Sequence, residues 1–172
     1  PYTTLFRSED IVNYSKKMLR RSNKYDVLTS SNITLRKANM NDLEDIYNNV
    51  WSSKTLWKNM LWEPSYNKDE SLSRLERTII YQTNTYSYFI TLNGTGEVIG
   101  FVGIEEIEDN IYEDAGICIC EKYQGLGYGK EVLSILKKLV FDSFNGNKFL
   151  YSCFLNNEAS EKLCLSQGFK YY

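Results

Sequence analysis

The chain has 172 residues, 42% apolar and 24% charged, which gives room for one domain with a real core, too little for two, and excludes a disordered composition. Lys and Arg number 20 against 22 Asp and Glu, a net charge of −2, so no global basic bias points to nucleic acid. The His count is 0, which excludes Ser-His-Asp and Cys-His catalysis and His-ligated zinc, and leaves acid–base work to Asp, Glu, Tyr, Lys or Cys.

The cysteines, Cys118, Cys120, Cys153 and Cys164, have neither CxxC spacing nor a disulfide-dense pattern, and read as reduced thiols. Cys118 and Cys120 share one strand face, where simple packing and a metal contact both stay open; no metal site is expected. No apolar run approaches membrane-spanning length and no signal peptide is visible, so the expectation is a cytoplasmic protein with no membrane contact.

In chain order, "PYTTLFRS" back-translates into the end of a common sequencing adaptor, so residues 1–8 read as an assembly scar. Residues 9–30 read as an N-terminal arm or short helix, and 31–172 as one domain. "NITLRKA" alternates Ile33 and Leu35 with polar residues and predicts a strand. Asn41 with Glu44 predicts a capped helix over "DLEDIYNNV", with Leu43, Ile46, Tyr47 and Val50 on one face. Trp51, Trp57 and Trp62 follow, either core or the wall of a pocket. After Pro64, "DESLSRLERTIIYQT" predicts a second helix with Leu72, Leu75 and Ile79 inward.

The period then changes to two. "YSYFITL" and "EVIGFVGIEEI" flank the turn signal "NGTG", and "NIYEDAGICICE" follows an acidic turn, giving three strands in series. A glycine segment opens the next helix, whose stripe is Val132, Leu133, Leu136, Leu139, Val140 and Phe144. "KFLYSCFL" predicts a buried strand. "NNEASEKLCLSQGF" predicts a last helix capped by Asn157 and closed by Gly168. The order implies an α/β (α+β) fold, one mixed sheet with helices on both faces and a parallel crossover over 111–154.

The glycine segment, "EKYQGLGYGKEVL", places bare backbone at the mouth of a helix, where free N–H groups and a partial positive charge suit a phosphate. A P-loop fails, because Gln124 stands at its first Gly and Glu131 follows Gly129-Lys130. A dinucleotide fingerprint fails, because Lys130 stands at its last Gly and no carboxylate follows at the ribose position. A glycine-rich connection with no ligand stays open on these residues alone.

Gln124-x-x-Gly127-x-Gly129 resembles the pyrophosphate-binding signature of the GNAT superfamily of N-acetyltransferases. "IYEDAGICIC" resembles the strand that runs into that motif. Asn157, Ser160, Leu163, Gly168 and Phe169 are in register with the family's later segment. "LWEP" and "GEVIGFVGI" are similar to segments of the RimJ/RimL-like subgroup, a bacterial group that acetylates protein N-termini and some small amines. The resemblance covers about residues 31 to 172. It implies acetyl-CoA as co-substrate and a sheet that splays at the cofactor cleft. It also implies two further C-terminal strands, so the domain reads as C-terminally incomplete.

By that resemblance the pyrophosphate lies on N–H groups of Gln124, Gly125, Leu126, Gly127, Tyr128, Gly129 and Lys130. The pantetheine arm pairs with backbone of Ile117, Cys118 and Ile119, often at a β-bulge. Asn157 and Ser160 either cap their helix or also touch the cofactor. Acetyl transfer to an amine needs a base, and Asp114 is the expected one, with Glu113, on the opposite strand face, and Glu105 behind it. The oxyanion donor is expected near Ile117 or Cys118. The family's acid, a Tyr on the last helix, is Cys164 here, which fits the RimJ/RimL-like pattern. Glu105, Glu106, Glu108, Asp109, Glu113 and Asp114 would draw in a cationic amine, whether a peptide N-terminus, a polyamine or an aminoglycoside. A monomer or homodimer is expected. The rival reading is an idle GNAT-fold module that binds acyl-CoA.

Overall fold

A computed structural model describes residues 23–60 and 62–171. The arm predicted at 9–22 and the eight residues read as a scar lie outside the described residues. Asn23–Tyr25 form one 3-10 turn, and β1 (Val27–Thr29) then pairs antiparallel with β2 (Ile33–Arg36), whose Ile33 and Leu35 are fully buried.

The first helical region starts two residues earlier than the sequence predicts. Asn39 is the cap: its side chain accepts the Asn41 N–H at 2.9 Å, and Asp42 accepts the Asn39 N–H at 2.8 Å. The reason is non-local. Arg36 at the end of β2 makes a two-pronged bond to the buried Asp42, at 2.8 and 2.7 Å, and fixes the turn Met40–Asp42 there. Glu44 instead binds Asn48 and Lys68 on the surface. Helix α1 (Leu43–Ile46) runs on into a wider π turn, Tyr47–Trp51, and buries Ile46, Val50 and Trp51. Helix α2 (Lys68–Thr83) is capped by Asn67, which accepts the Glu70 N–H at 2.9 Å, and Leu75 is its fully buried contact.

β3 (Tyr86–Leu92), β4 (Val98–Glu108) and β5 (Ile111–Ile119) form the predicted antiparallel series. Helix α3 (Tyr128–Lys138) continues as a π turn, Leu139–Ser143, and packs its predicted stripe on β2 and β5. β6 (Lys148–Leu150) returns parallel to β5, giving the order β1-β2-β3-β4-β5-β6, and helix α4 (Glu158–Ser166) follows. Helices lie on both faces. Tyr86 of β3 meets Phe144, beyond α3, at 4.7 Å, whereas Phe89, of opposite parity, meets Trp51, beyond α1, at 6.0 Å.

One predicted element is much shorter. "KFLYSCFL" pairs only over Lys148–Leu150, and Phe154 and Leu155 are exposed. β6 is the outer strand of the described sheet, so no described strand pairs with its far edge, and beyond Leu150 it also leaves β5. A run that is apolar throughout needs two covered faces to be a buried strand.

Candidate active site

The site begins where β5 loses a neighbour. The parallel pairing is Ile111↔Lys148, Tyr112↔Phe149 and Glu113↔Leu150, and there it ends, while β5 continues to Ile119. On its other edge β5 stays paired with β4, through a bulge. Val102 pairs with Ile117 and Ile104 with Asp114, so Gly103 alone faces two residues, Ala115 and Gly116. Gly116 sits at φ +99°, a conformation that suits glycine. The mixed sheet thus carries a splayed parallel pair, as the sequence reading expects.

Past the bulge, β5 turns alternate backbone groups to the open side. The Cys118 carbonyl faces β4, close enough that a Cβ on Gly100 would meet it at 2.0 Å, and Cys120 N–H donates to Ile99 at 2.8 Å. By the two-residue period, Ile117 and Ile119 face the open edge. The Gln124 side chain agrees, donating to the Ile119 carbonyl at 2.8 Å. Of the two expected oxyanion donors, the backbone of Cys118 is therefore turned to β4, and Ile117 is the one turned to the opening.

That opening is a cleft of about 620 Å³ between the free stretch of β5, the glycine segment and α4, with Thr55, Leu56 and Met60 as its roof. Ile117, Cys118 and Ile119 line it, as do Gln124, Gly125, Gly127, Gly129 and Lys130, and Asn157 and Ser160 from the opposite side. Leu126 and Tyr128 do not: Leu126 is 62% exposed, and the Tyr128 ring packs edge-on against Tyr123 at 6.1 Å. The three glycines differ in purpose. Gly125 and Gly127 have φ +74° and +92°, with nothing within 4 Å of the place a Cβ would take, so their backbone is bared to the cleft. Gly129 lets α4 approach α3, since a Cβ there would stand 3.0 Å from Leu163.

The N-terminus of α3 is uncapped by any side chain, and among the described residues the N–H groups of Gly125, Leu126 and Gly127 donate to no backbone carbonyl. Free donors, a positive helix end and absent Cβ atoms fit a pyrophosphate. Glu131 holds this end in place, accepting from Ser30 at 2.5 Å and from Asn32 at 2.6 and 3.2 Å in the β1–β2 turn.

The two carboxylates expected to act as base stand at the root of the splay and not on the cleft wall. Asp114 accepts the Ser152 N–H at 2.7 Å and the Gly116 N–H at 3.2 Å, and Glu113 accepts the Ser152 hydroxyl at 2.5 Å. Strand alternation therefore does not separate them, because Ser152 lies on the strand edge within reach of both. Burial pushes the Asp114 carboxyl up to about 6, against the opposing N–H groups and helped by the Glu113 charge. The rest of the acidic cluster is elsewhere: Glu105, Glu108 and Asp109 are exposed toward the β4–β5 hairpin end, and Glu106 accepts the Asn110 N–H of that turn.

Asn157 caps α4, accepting the Ser160 N–H at 3.2 Å, and still borders the cleft. Ser160 Oγ shares a 2.6 Å hydrogen bond with the Tyr151 hydroxyl, which also borders the cleft. The sequence reading missed Tyr151. Burial pushes its hydroxyl up to about 12, so it is protonated throughout the neutral range. The only signal was a polar-tipped aromatic ending an apolar run. Cys164 is not on the cleft wall, and burial raises its thiol. Cys118 is pushed up to about 12 by burial.

A family profile described as an acetyltransferase (GNAT) domain matches residues 32–170. Comparison with curated proteins returns no match. Among solved structures, a GNAT-family acetyltransferase from Bacillus anthracis superposes with TM-score 0.73 at 17% identity, covering 84% of this chain and 83% of that one. The microcin self immunity acetyltransferase MccE, in complex with acetyl-CoA and AMP, gives TM-score 0.70 at 24% identity, covering 82% and 80%. RimL, a ribosomal α-N-protein acetyltransferase, gives 0.68 at 19% identity, covering 84% and 80%. The profile match over most of the chain and the splayed, glycine-cradled cleft lead to one conclusion: the chain belongs to the GNAT family of acetyl-CoA-dependent acetyltransferases.

Proposed function

We propose that the protein transfers the acetyl group of acetyl-CoA to a primary amine, by direct attack with both substrates bound. The observation that carries this is the free edge of β5, which runs from the bulge at Gly116 to an uncapped helix end bared at Gly125 and Gly127. Gln124 to Lys130 would hold the pyrophosphate. Ile117 and Ile119 would pair with the pantetheine, with Asn157 and Ser160 across the cleft. Acetyl-CoA supplies an activated acyl carbon and a thiolate leaving group. The Ile117 N–H is aimed where negative charge gathers on the carbonyl oxygen. Asp114, charged above about pH 6, accepts the amine proton directly or through water, with Glu113 beside it. Tyr151, held by its hydrogen bond with Ser160, gives its hydroxyl proton to the departing sulfur and takes one back from solvent. The name of RimL supports an α-amine of a protein as the acceptor class, beside a small polyamine or aminoglycoside-like amine.

The rival is an acyl-CoA-binding module without turnover. Its support is that each Asp114 oxygen accepts a backbone N–H, which is also what a clasp at the root of the splay would do. Two measurements separate the readings: thermal melting with and without acetyl-CoA, and thiol release with a panel of amines. Saturating acetyl-CoA raises the melting temperature by roughly 5–10 °C in both readings. Thiol release that depends on an amine and falls roughly 10²-fold in Asp114→Asn supports the enzyme. A melting shift with no amine-dependent release supports the module.

A further inference from the structure

Apart from the cleft, a second groove of about 510 Å³ runs between Trp62–Ser65 and α2. Arg74 and Arg77, one helical turn apart, both line it. The Arg74 guanidinium stacks over Trp51 and Trp62, 4.6 and 4.8 Å from their ring centroids, and donates to the Glu63 carbonyl at 3.0 Å. Neither arginine has an ion-pair partner among the described residues. Burial, with Arg77 second, holds the Arg74 guanidinium down to about 10. Two like charges on neighbouring turns, one partly desolvated, are unfavourable until an anion joins them.

The carboxylates nearby do not fill that need. Glu70 is spent on the cap of α2, accepting from the Tyr66 N–H at 2.8 Å and the Asn67 amide at 3.1 Å. Glu63 is exposed, and its backbone is the part that meets Arg74. Trp62 forms one wall, and its buried Nε1–H has no acceptor among the described residues. Arg74, Thr78 and Tyr81 also line a smaller cavity of about 170 Å³ that reaches Gly103 and Ala115, at the β-bulge. The groove and the cavity at the bulge therefore share walls.

We propose that this groove binds a carboxylate or phosphate group carried by the acyl acceptor, with Arg74 and Arg77 as its partners, while the acceptor amine points to the bulge. Binding of the anion stands on the groove alone; its place in the acceptor rests on the acetyl-transfer reading. The acceptor is then an amine with an anionic group some distance away, and a plain polyamine fits less well.

The test uses the full chain with Gly127→Glu as background, so that added phosphate does not compete for the glycine cradle. Inorganic phosphate and glutarate are titrated at constant ionic strength, reading the Trp62 indole N–H resonance, assigned with Trp62→Phe. Saturable shifts with either probe are expected; a response to one alone tells phosphate from carboxylate. Arg77→Glu, an exposed change, should weaken binding at least tenfold, and Glu63→Gln should tighten it. No saturable shift, or a shift that survives Arg77→Glu, overturns the site. The acceptor role is tested with Gly127 intact, by thiol release with O-phosphoethanolamine and ethanolamine. Arg77→Glu should raise KM at least tenfold for the first, leave the second unchanged and leave kcat alone. Anion binding with equal KM values, or with no thiol release for any amine, overturns the acceptor assignment and leaves the anion site standing.

Discussion

The two edges of β5 make the most instructive contrast in this molecule. One edge is paired with β4 along almost its whole length, and the Gly100–Cys118 approach is so close that no side chain fits. The other edge is paired for three residues and then left open over the stretch that lines the cleft. The same alternation governs both. A residue whose backbone groups turn to β4 builds the sheet, and its neighbour's turn to the opening and stay available for a ligand. In the β2–β4 half the buried set is dense with Ile33, Leu35, Tyr88, Phe89, Ile90 and Ile99, whereas α4 contributes no buried residue. The site is thus built at the border between a closed half and an open one. There, unmet backbone hydrogen bonds can be satisfied by ligand or water and do not weaken the core.

Substitutions can break this contrast from either side. The largest effect should come from Gly127→Glu on the open side, which sets a negative charge against the pyrophosphate. Affinity for acetyl-CoA by calorimetry should fall more than about 10²-fold. The fold should survive, because a Cβ there meets nothing within 4 Å. Gly127→Ala keeps only the cost of a positive φ, about 1–2 kcal/mol, and should spare most of the affinity. Asp114→Asn, at the root of the splay, should lower amine-dependent turnover by roughly 10²-fold while acetyl-CoA still raises the melting temperature. Gly100→Ala, on the closed side, should destabilise by about 3 kcal/mol in urea, because the 2.0 Å contact is with a carbonyl that cannot rotate away.

The smallest effect is a pH dependence that sharpens the contrast. The Asp114 carboxyl is raised from 3.8 to about 6 in the fold. Between those values the folded chain holds a proton that the unfolded chain has released. Its contribution to stability is therefore full below about pH 4 and declines as pH rises through about 6, by at most about 3 kcal/mol. Asp114→Asn should remove that decline in melting curves collected across the window. On the proposed role of Asp114 as base, turnover should run the opposite way, rising as pH passes about 6.

Much of this was legible locally. Ile33 and Leu35, the "NGTG" hairpin, the α3 stripe and the Asn157 and Gly168 caps depend on near neighbours along the chain, and the structure reproduces them. Ten of the twelve expected cofactor residues border the cleft, eight of them on one strand–glycine–helix segment that carries its own geometry. What the sequence could not reveal depended on partners far along the chain. Arg36 moved the first cap to Asn39, and Ser152 drew Glu113 and Asp114 together. The departure of β6 exposed Phe154 and Leu155 and put Tyr151 on the cleft wall. Arg74, an ordinary helix residue by spacing, became half of an unpaired cationic pair only when Trp51 and Trp62 closed over it.

By itself the sequence determined the order of strands and helices from Ile33 onward and the glycine segment at the helix mouth, because periodicity, caps and φ preferences act over a few residues, whereas the strand Val27–Thr29 lay within what read as an arm. Only the tertiary structure decided which edge of β5 stays open, which N–H faces the opening and where the charges gather, because those follow from strand register and from burial, and both are properties of the assembled sheet.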